Sequence, residues 1–457
     1  MNSRDSSRQR LFNRRAALVA GGQFALLSAL VGRMYYLQVV ESERYHMLAE
    51  ENRINMRLLP PSRGRVIDRF GVPIAVNQQN YRVLLKAENA PDVPAVLDRL
   101  SLIIPISKDE KSRIMKEIRR RRKFVPVTIR EFLAWEDVAR LEVNTPDLPG
   151  IEIDVGERRF YPNGDAAAHI LGYVGAPQPE DLSDDPLLEL PGFKVGRNGV
   201  ERAFDLPLRG RPGASQLEVN AVGRVIRELD RQESEPGQDV VLTVDMSLQR
   251  EAMKRLGDEA GSVVVMDTET GGIIVQASTP SFDPNAFTEG LSPSQWRAVK
   301  DNERAPLRNK AIAGEYAPGS TFKMIVALAA LKAGLVTPET SYSCPGFIEV
   351  GDGKFHCWRR HGHGVVDLKR AIAESCDVYF YEIARRVGID NIARMANRFG
   401  LGNGSGLDTP GERAGLIPTK AWKRAVIGQP WVLGETLVAG IGHGFITTTP
   451  MQLATMT

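Results

Sequence analysis

Cysteine is scarce in this chain: three residues in 457, at positions 344, 357 and 376. An odd count cannot form a complete disulfide framework, so the fold must rest on its core. An excess of charge of one sign is also missing. The net charge of +3 is small for this length, and basic residues are not interleaved with aromatics, which argues against nucleic-acid binding. There are no internal repeats and no low-complexity tracts, which excludes solenoids and disordered linkers. Aromatic residues at 7% and charged residues at 25% are ordinary for a globular protein, and the length allows two or three domains.

Long apolar runs are missing too, with one exception. Residues 16–32 carry no charge, Arg33 interrupts them, and Met34 to Val40 extend them. The run is long enough to span a bilayer if Arg33 snorkels to the interface, where Tyr35 and Tyr36 also belong. Arg4, Arg8, Arg10, Arg14 and Arg15 precede it against a single Asp5, which places the N-terminus in the cytoplasm. A cleaved signal peptide would need a small-x-small site before Glu41, and none is visible. The expected layout is a cytoplasmic tail over 1–15 and a transmembrane anchor over 16–39, with the rest outside the inner membrane.

Beyond the anchor, residues 40–62 read as a polar, partly helical stem, and residues 63–80 alternate as strands. Residues 81–155 carry amphipathic helical stretches, and 156–235 return to Gly- and Pro-rich strands and turns. This predicts a β-rich pedestal over 40–235 with an inserted helical head at about 81–155. Arg119 to Lys123 is a basic run, read as a solvated helix face. Arg231 to Gln238 reads as a linker. From 240 onward come a helix over Ser247 to Leu256, a hairpin around Thr268-Glu269-Thr270-Gly271, a helix after Pro318-Gly319, a loop over 337–366 and a helical region over 368–399 broken near Ser375. Strands followed by helices predict an α+β fold.

Glu315-Tyr316-Ala317-Pro318-Gly319-Ser320-Thr321-Phe322-Lys323 is the stretch richest in chemistry. The turn places Ser320 at a helix N-terminus, where free N–H groups favour a developing negative charge. Lys323 lies one turn on, on the same face. A serine is a weak nucleophile until a base takes its proton, and a desolvated lysine can be that base. Taken alone, the pattern more often describes a capping serine beside a solvated lysine.

The context is a resemblance along nearly the whole chain. Tyr316 to Lys323 resembles the active-serine motif of penicillin-binding proteins and serine β-lactamases, and Ser375-Cys376-Asp377 falls where that superfamily carries S-x-N. Upstream, Arg63-Gly64-Arg65-Val66-Ile67-Asp68-Arg69 with Gly71, Arg159-Phe160-Tyr161-Pro162-Asn163-Gly164, and Gly199-Val200-Glu201 with Gly210-Arg211-Pro212-Gly213 resemble three pedestal boxes of the class B enzymes. Pro430-Trp431, Gly434-Glu435-Thr436 and Ile441-Gly442-His443-Gly444 resemble the elongation-type subgroup, penicillin-binding protein 2.

The resemblance implies a transpeptidase domain over 240–457, with acyl transfer on D-Ala-D-Ala stem peptides during cell elongation and acylation by β-lactams. Ser320 is the implied nucleophile, Lys323 the base and Ser375 a proton relay. The Ser320 N–H is implied as half of an oxyanion hole. Arg63, Gly64, Asp68, Arg69, Arg159, Gly164 and Glu201 are implied to be structural. Implied partners are a polytopic glycosyltransferase of the elongation machinery and its scaffold proteins.

Asp377 stands where the wider superfamily has Asn, as it often does in the elongation-type subgroup. An ionised carboxylate there favours charged lysine, so the proton can belong to either member of the pair. The third family motif, K-[ST]-G, does not occur. The reading is a polypeptide truncated before that strand and, as it stands, short of parts needed for turnover.

Cys344, Cys357, His363 and Cys376 have gaps of twelve, five and twelve residues, which is not finger spacing. Spacing alone suits small buried thiols as well as a metal. Some elongation-type enzymes carry a metal in this loop, so the resemblance implies structural Zn2+ on these four. His363 is preferred over His356 and His361 for its Gly-His-Gly context. Two other readings compete with the enzyme. One is a non-catalytic scaffold that activates the glycosyltransferase. The other is a β-lactamase, which would have no use for an anchor or a pedestal.

Overall fold

The structure is a computed structural model, and it describes residues 21–36 and 54–457 except 121–122, 124, 182–184, 191 and 221–224. A helix runs over 21–35. Among the described residues no helix is long and apolar enough to cross a membrane. Both ends of the expected 16–39 anchor, and most of the stem after it, lie outside the described residues, as does part of the Arg119 to Lys123 run.

The chain divides into two compact units, one made of residues 1–60 and 212–235, the other of 61–211 and 236–457. The first holds a three-stranded antiparallel sheet. Ile54–Leu59 and Val225–Gln232 flank Gly213–Val219. The end of the segment read as a partly helical stem is a strand, and the linker expected from Arg231 is corrected, since it begins inside a strand. The strand Ile54–Leu59 alternates apolar and polar residues, but its partner lies far away in sequence, so only the tertiary fold decides its state.

The second unit starts with a mixed sheet. Pro73–Leu85 is its longest strand and pairs antiparallel with Val66–Ile67, Val127–Leu133 and Ile151–Phe160; Val240–Val241 joins Val66–Ile67 in parallel. The helices Val93–Ile103, Lys108–Arg120 and Trp135–Asn144 bury Leu97, Leu100, Ile114 and Leu141 against the far end of this sheet, with Val83 and Leu85. Asp92 caps the first by accepting from Ala95 N, and Lys108–Arg120 has acidic residues in its first turn and basic ones in its last, as the helix dipole favours. The inserted head is therefore helices on strands, rather than helices alone.

The remainder is built on the hairpin Gly261–Met266 and Ile273–Thr279, with the helix Met246–Leu256 against it. A separate helical core gathers Phe322, Ile325, Val326, Tyr379, Phe380, Ile383, Ile392 and Leu437. Phe322 comes from the turn before the helix Lys323–Lys332, and the others from that helix and from Asp377–Val387, Ile389–Arg398 and Leu433–Gly440. The fold is α+β. The segment read as a loop over 337–366 is two small antiparallel pairs, Tyr342–Cys344 with Gly364–Val366 and Phe347–Val350 with Gly353–His356. Strands of three or four residues carry too little periodicity to be read from sequence.

Candidate functional site: an active serine beside a thiol cluster

The chain turns at Gly319, whose φ of +59° suits glycine, and enters a 3-10 turn over Gly319–Phe322 before the helix Lys323–Lys332 begins. Phe322 is fully buried and anchors the turn, while Ser320 stays exposed. Gly442 supports the turn from behind. Gly319 N donates to Gly442 O at 3.1 Å, and a Cβ on Gly442 would lie 2.2 Å from Gly319 O. That close approach gives the Ile441-Gly442-His443-Gly444 stretch a physical reason.

Ser375 occupies an unusual place. Cys376 N donates to Ala371 O at 2.9 Å and Ser375 N to Ile372 O at 3.2 Å, the pair of bonds that closes a Schellman C-cap on the helix Leu368–Ala373. The residue between them must be left-handed, and Ser375 has φ +53°. Glycine is the usual occupant, and a serine there costs on the order of 1 kcal/mol. The hydroxyl it brings is used. Ser375 Oγ donates to Ser320 Oγ at 2.8 Å and accepts from Lys323 Nζ at 2.9 Å.

Lys323 is almost wholly buried. Its Nζ also donates to Ser375 O at 2.9 Å and to Asp377 Oδ1 at 2.6 Å, over the Phe380 ring. A buried ammonium needs such partners. The hydrogen bonds thus run from Asp377 through Lys323 and Ser375 to the exposed Ser320. This arrangement can carry a proton away from Ser320 Oγ and return it, which is what nucleophilic catalysis by serine requires.

The structure brings Cys344, Cys357, His363 and Cys376 together, all buried, with their donor atoms within 4.8 Å of one another. His363 Nδ1 lies 3.5 Å from Cys357 Sγ and 3.6 Å from Cys344 Sγ. Tetrahedral zinc with ordinary Zn–S and Zn–N bonds sets nitrogen and sulfur about 3.6 Å apart, so the donors fit that ion. Hydrogen bonding between the sulfurs of Cys357 and Cys376 pulls Cys357 down to about 5 and pushes Cys376 up. A thiolate is thus favoured at one corner of the cluster. His361 and His356 are outside the cluster.

Three segments far apart in sequence meet at Glu201, which is fully buried. Its two oxygens accept from Arg63 Nε at 2.7 Å and Arg159 Nε at 2.6 Å. Arg63 also pairs with Asp205 at 2.8 Å, and Arg159 Nη1 donates to Gly64 O at 2.8 Å. Burial alone would lower the Arg63 pKa, and the Glu201 and Asp205 carboxylates more than offset it. A Cβ on Gly64 would sit 2.0 Å from Gln238 O, so glycine is required there. Asp68, also buried, accepts from Phe70 N and Val72 N at 2.9 and 2.8 Å and from Met246 N at 3.3 Å. Arg69 stacks over Phe70 and donates its backbone N–H to Val244 O. Gly164 has φ +50° after Tyr161, whose buried hydroxyl accepts from Val174 N.

One residue at the site had no sequence signal. Trp358 donates its backbone N–H to Asp377 Oδ2 at 2.9 Å and its indole N–H to Ser375 O and Glu374 O. Its position directly after Cys357 was the only available hint.

An exposed serine, a buried lysine one turn on, and a second serine bridging them define a penicillin-interacting active-serine domain. Residues 261–457 match the penicillin binding protein transpeptidase domain, and residues 58–242 match the penicillin-binding protein dimerisation domain. The peptidoglycan D,D-transpeptidase MrdA of Escherichia coli (strain K12) is 36% identical over 451 residues, covering 97% of this chain and 71% of the relative. Penicillin-binding protein 2 of Helicobacter pylori, solved in complex with MreC, superposes with a TM-score of 0.79 at 30% identity, over 88% of this chain and 76% of that one. A chain from a peptidoglycan synthase complex that coordinates polymerization and crosslinking gives a TM-score of 0.69 at 32% identity, over 97% and 76%. The chain belongs to the class B penicillin-binding proteins of the MrdA, or penicillin-binding protein 2, type.

Proposed function

We propose that this chain is the serine D,D-transpeptidase that cross-links peptidoglycan stem peptides during cell elongation, with Ser320 as its nucleophile. The observation that carries the residue assignment is the hydrogen-bonded series Ser320, Ser375, Lys323, Asp377. Ser320 Oγ attacks the carbonyl of the penultimate D-alanine, and its proton passes by way of Ser375 to Lys323. The C–N bond breaks, and the terminal D-alanine leaves with a proton delivered back through Ser375. An amine from a neighbouring stem then attacks the ester. A new amide forms and the C–O bond to Ser320 breaks; the amine's proton passes through Lys323 and Ser375 to Ser320 Oγ, which leaves as a hydroxyl, so Lys323 ends as it began. Asp377 accepts from Lys323 Nζ and keeps it in place as it takes up and releases that proton. A β-lactam enters the first half of this sequence and stops there.

Structural Zn2+ on Cys344, Cys357, His363 and Cys376 is part of the reading, supported by the soft donor set and its spacing. Bound there, zinc ties the segment 344–363 to Cys376, between Ser375 and Asp377, and supplies no chemistry of its own to acyl transfer. The anchor reading is supported by the helix over 21–35, which exposes Phe24, Leu26, Leu27, Leu30 and Val31, an apolar surface suited to lipid. The protein is then single-pass in the inner membrane, N-terminus cytoplasmic and catalytic unit periplasmic. Partners follow from the relatives: a MreC-like scaffold and a glycosyltransferase that polymerises the strands to be cross-linked.

Labelling of the full-length protein with a fluorescent penicillin tests the enzyme reading. A covalent, β-lactam-competed band is expected. Its absence from folded protein favours a non-catalytic scaffold.

A further inference from the structure

We infer that Trp358 is a positioning residue for the proton relay, acting on Ser375 and Asp377 rather than on substrate. The inference rests on the transpeptidase reading of the Ser320 site. Ser375 is held in a backbone conformation that a serine does not prefer, φ +53°. Its hydroxyl must nevertheless stay within hydrogen-bond reach of Lys323 Nζ and Ser320 Oγ at once, at 2.9 and 2.8 Å. Something has to hold that turn, and the bonds of the C-cap itself fix only its N–H groups. Trp358 fixes the carbonyls. Its indole N–H lies 3.2 Å from Glu374 O and 3.1 Å from Ser375 O.

The same residue acts a second time through its main chain. Trp358 N donates to Asp377 Oδ2 at 2.9 Å, which leaves Oδ1 for Lys323 at 2.6 Å. One residue therefore sets the rotamer of the carboxylate that holds the lysine and the carbonyls of the turn that presents the bridging hydroxyl. Ser375 O accepts from both Lys323 Nζ and the indole, so the two donors fix its direction together. Trp358 is 64% exposed, yet its ring stands edge-on to buried His363, centroids 5.4 Å apart. A solvent-exposed tryptophan with both N–H groups committed inward contributes little to the core, and its bonds all lead to the relay.

The test separates the indole N–H from the ring. Trp358→Phe and Trp358→benzothienylalanine, an isostere without the N–H, are made in the full-length protein, and stopped-flow β-lactam acylation is resolved into a binding constant and a limiting acylation rate. Both variants are expected to lose about 3- to 10-fold in the limiting rate, the worth of one hydrogen bond, with the binding constant and melting temperature near those of the parent. A parental rate in either variant overturns the inference. So does a rate loss accompanied by a matching fall in melting temperature or zinc content, which would make the role structural. Failure of the parent itself to acylate would instead count against the transpeptidase reading.

Discussion

Two buried ion clusters in this molecule use similar residues to different ends. At Glu201, two arginines take both carboxylate oxygens and the carboxylate is sealed from solvent. At Lys323, one ammonium is held by Asp377, Ser375 O and Ser375 Oγ, and the last of these leads outward to exposed Ser320. Glu201 locks together segments separated by 138 positions, whereas Lys323 sits at the inner end of a hydrogen-bonded series that opens at exposed Ser320. Buried charge alone does not mark a catalytic site. What distinguishes one is a titratable hydroxyl between the charge and the surface.

The comparison is broken most strongly at Lys323. Lys323→Ala is expected to slow β-lactam acylation by about 10²- to 10⁴-fold, the usual range for a lost acid–base group. Acylation per folded molecule should be untouched by Glu201→Ala. Rapid-quench kinetics on both variants checks this. A comparable loss in Glu201→Ala would erase the distinction.

Glu201→Ala should act on stability instead. It leaves the Arg63 and Arg159 guanidiniums without their shared carboxylate, a change that costs about 3–5 kcal/mol when a buried pair is broken. Denaturant unfolding should show it. Exposed pairs such as Arg65 with Asp239 set the scale for comparison, since solvent screens them and Arg65→Ala should leave the unfolding midpoint close to the parent's.

The thiol cluster should respond to acid. Zinc needs deprotonated sulfur, so protons compete with it as pH falls. Elemental analysis should give about one zinc per chain at neutral pH and little after dialysis at low pH or in Cys357→Ser. Acylation should slow with the loss, because Ser375 and Asp377 flank Cys376. A metal-free native protein with reduced, ordered cysteines would leave only the buried-thiol reading.

The smallest effect sharpens the contrast. Ser375→Gly relieves the left-handed serine, so its melting temperature should equal or exceed the parent's, by about 1 kcal/mol of stability at most. Its acylation should nonetheless fall, because the bridging hydroxyl is gone. A stable variant with parental acylation would remove Ser375 from the relay.

The residues with fixed chemistry were the legible part of this chain. Ser320, Lys323, Ser375 and the thiols were picked out by their resemblance to family motifs, since type and spacing alone left a capping serine with a solvated lysine, and plain buried thiols, as open readings. The helices Met246–Leu256 and Leu368–Ala373 followed from local pattern. What did not follow depends on distant partners. Ile54–Leu59 becomes a strand only because Gly213–Val219 pairs with it. The short strands between 342 and 366 close through turn glycines such as Gly346 and Gly362, whose Cβ positions lie within 2.2 Å of backbone. Trp358 was invisible because half of its role belongs to a backbone N–H, which every residue but proline carries. Arg63, Arg159 and Glu201 were implied to be structural by the resemblance of three separate boxes, but nothing in the sequence placed them together.

The most direct test is peptide mapping of the full-length protein after β-lactam treatment. The adduct is expected on Ser320 alone, with none on Ser320→Ala. An adduct on another residue, or full labelling of Ser320→Ala, would contradict the assignment of Ser320 as the nucleophile.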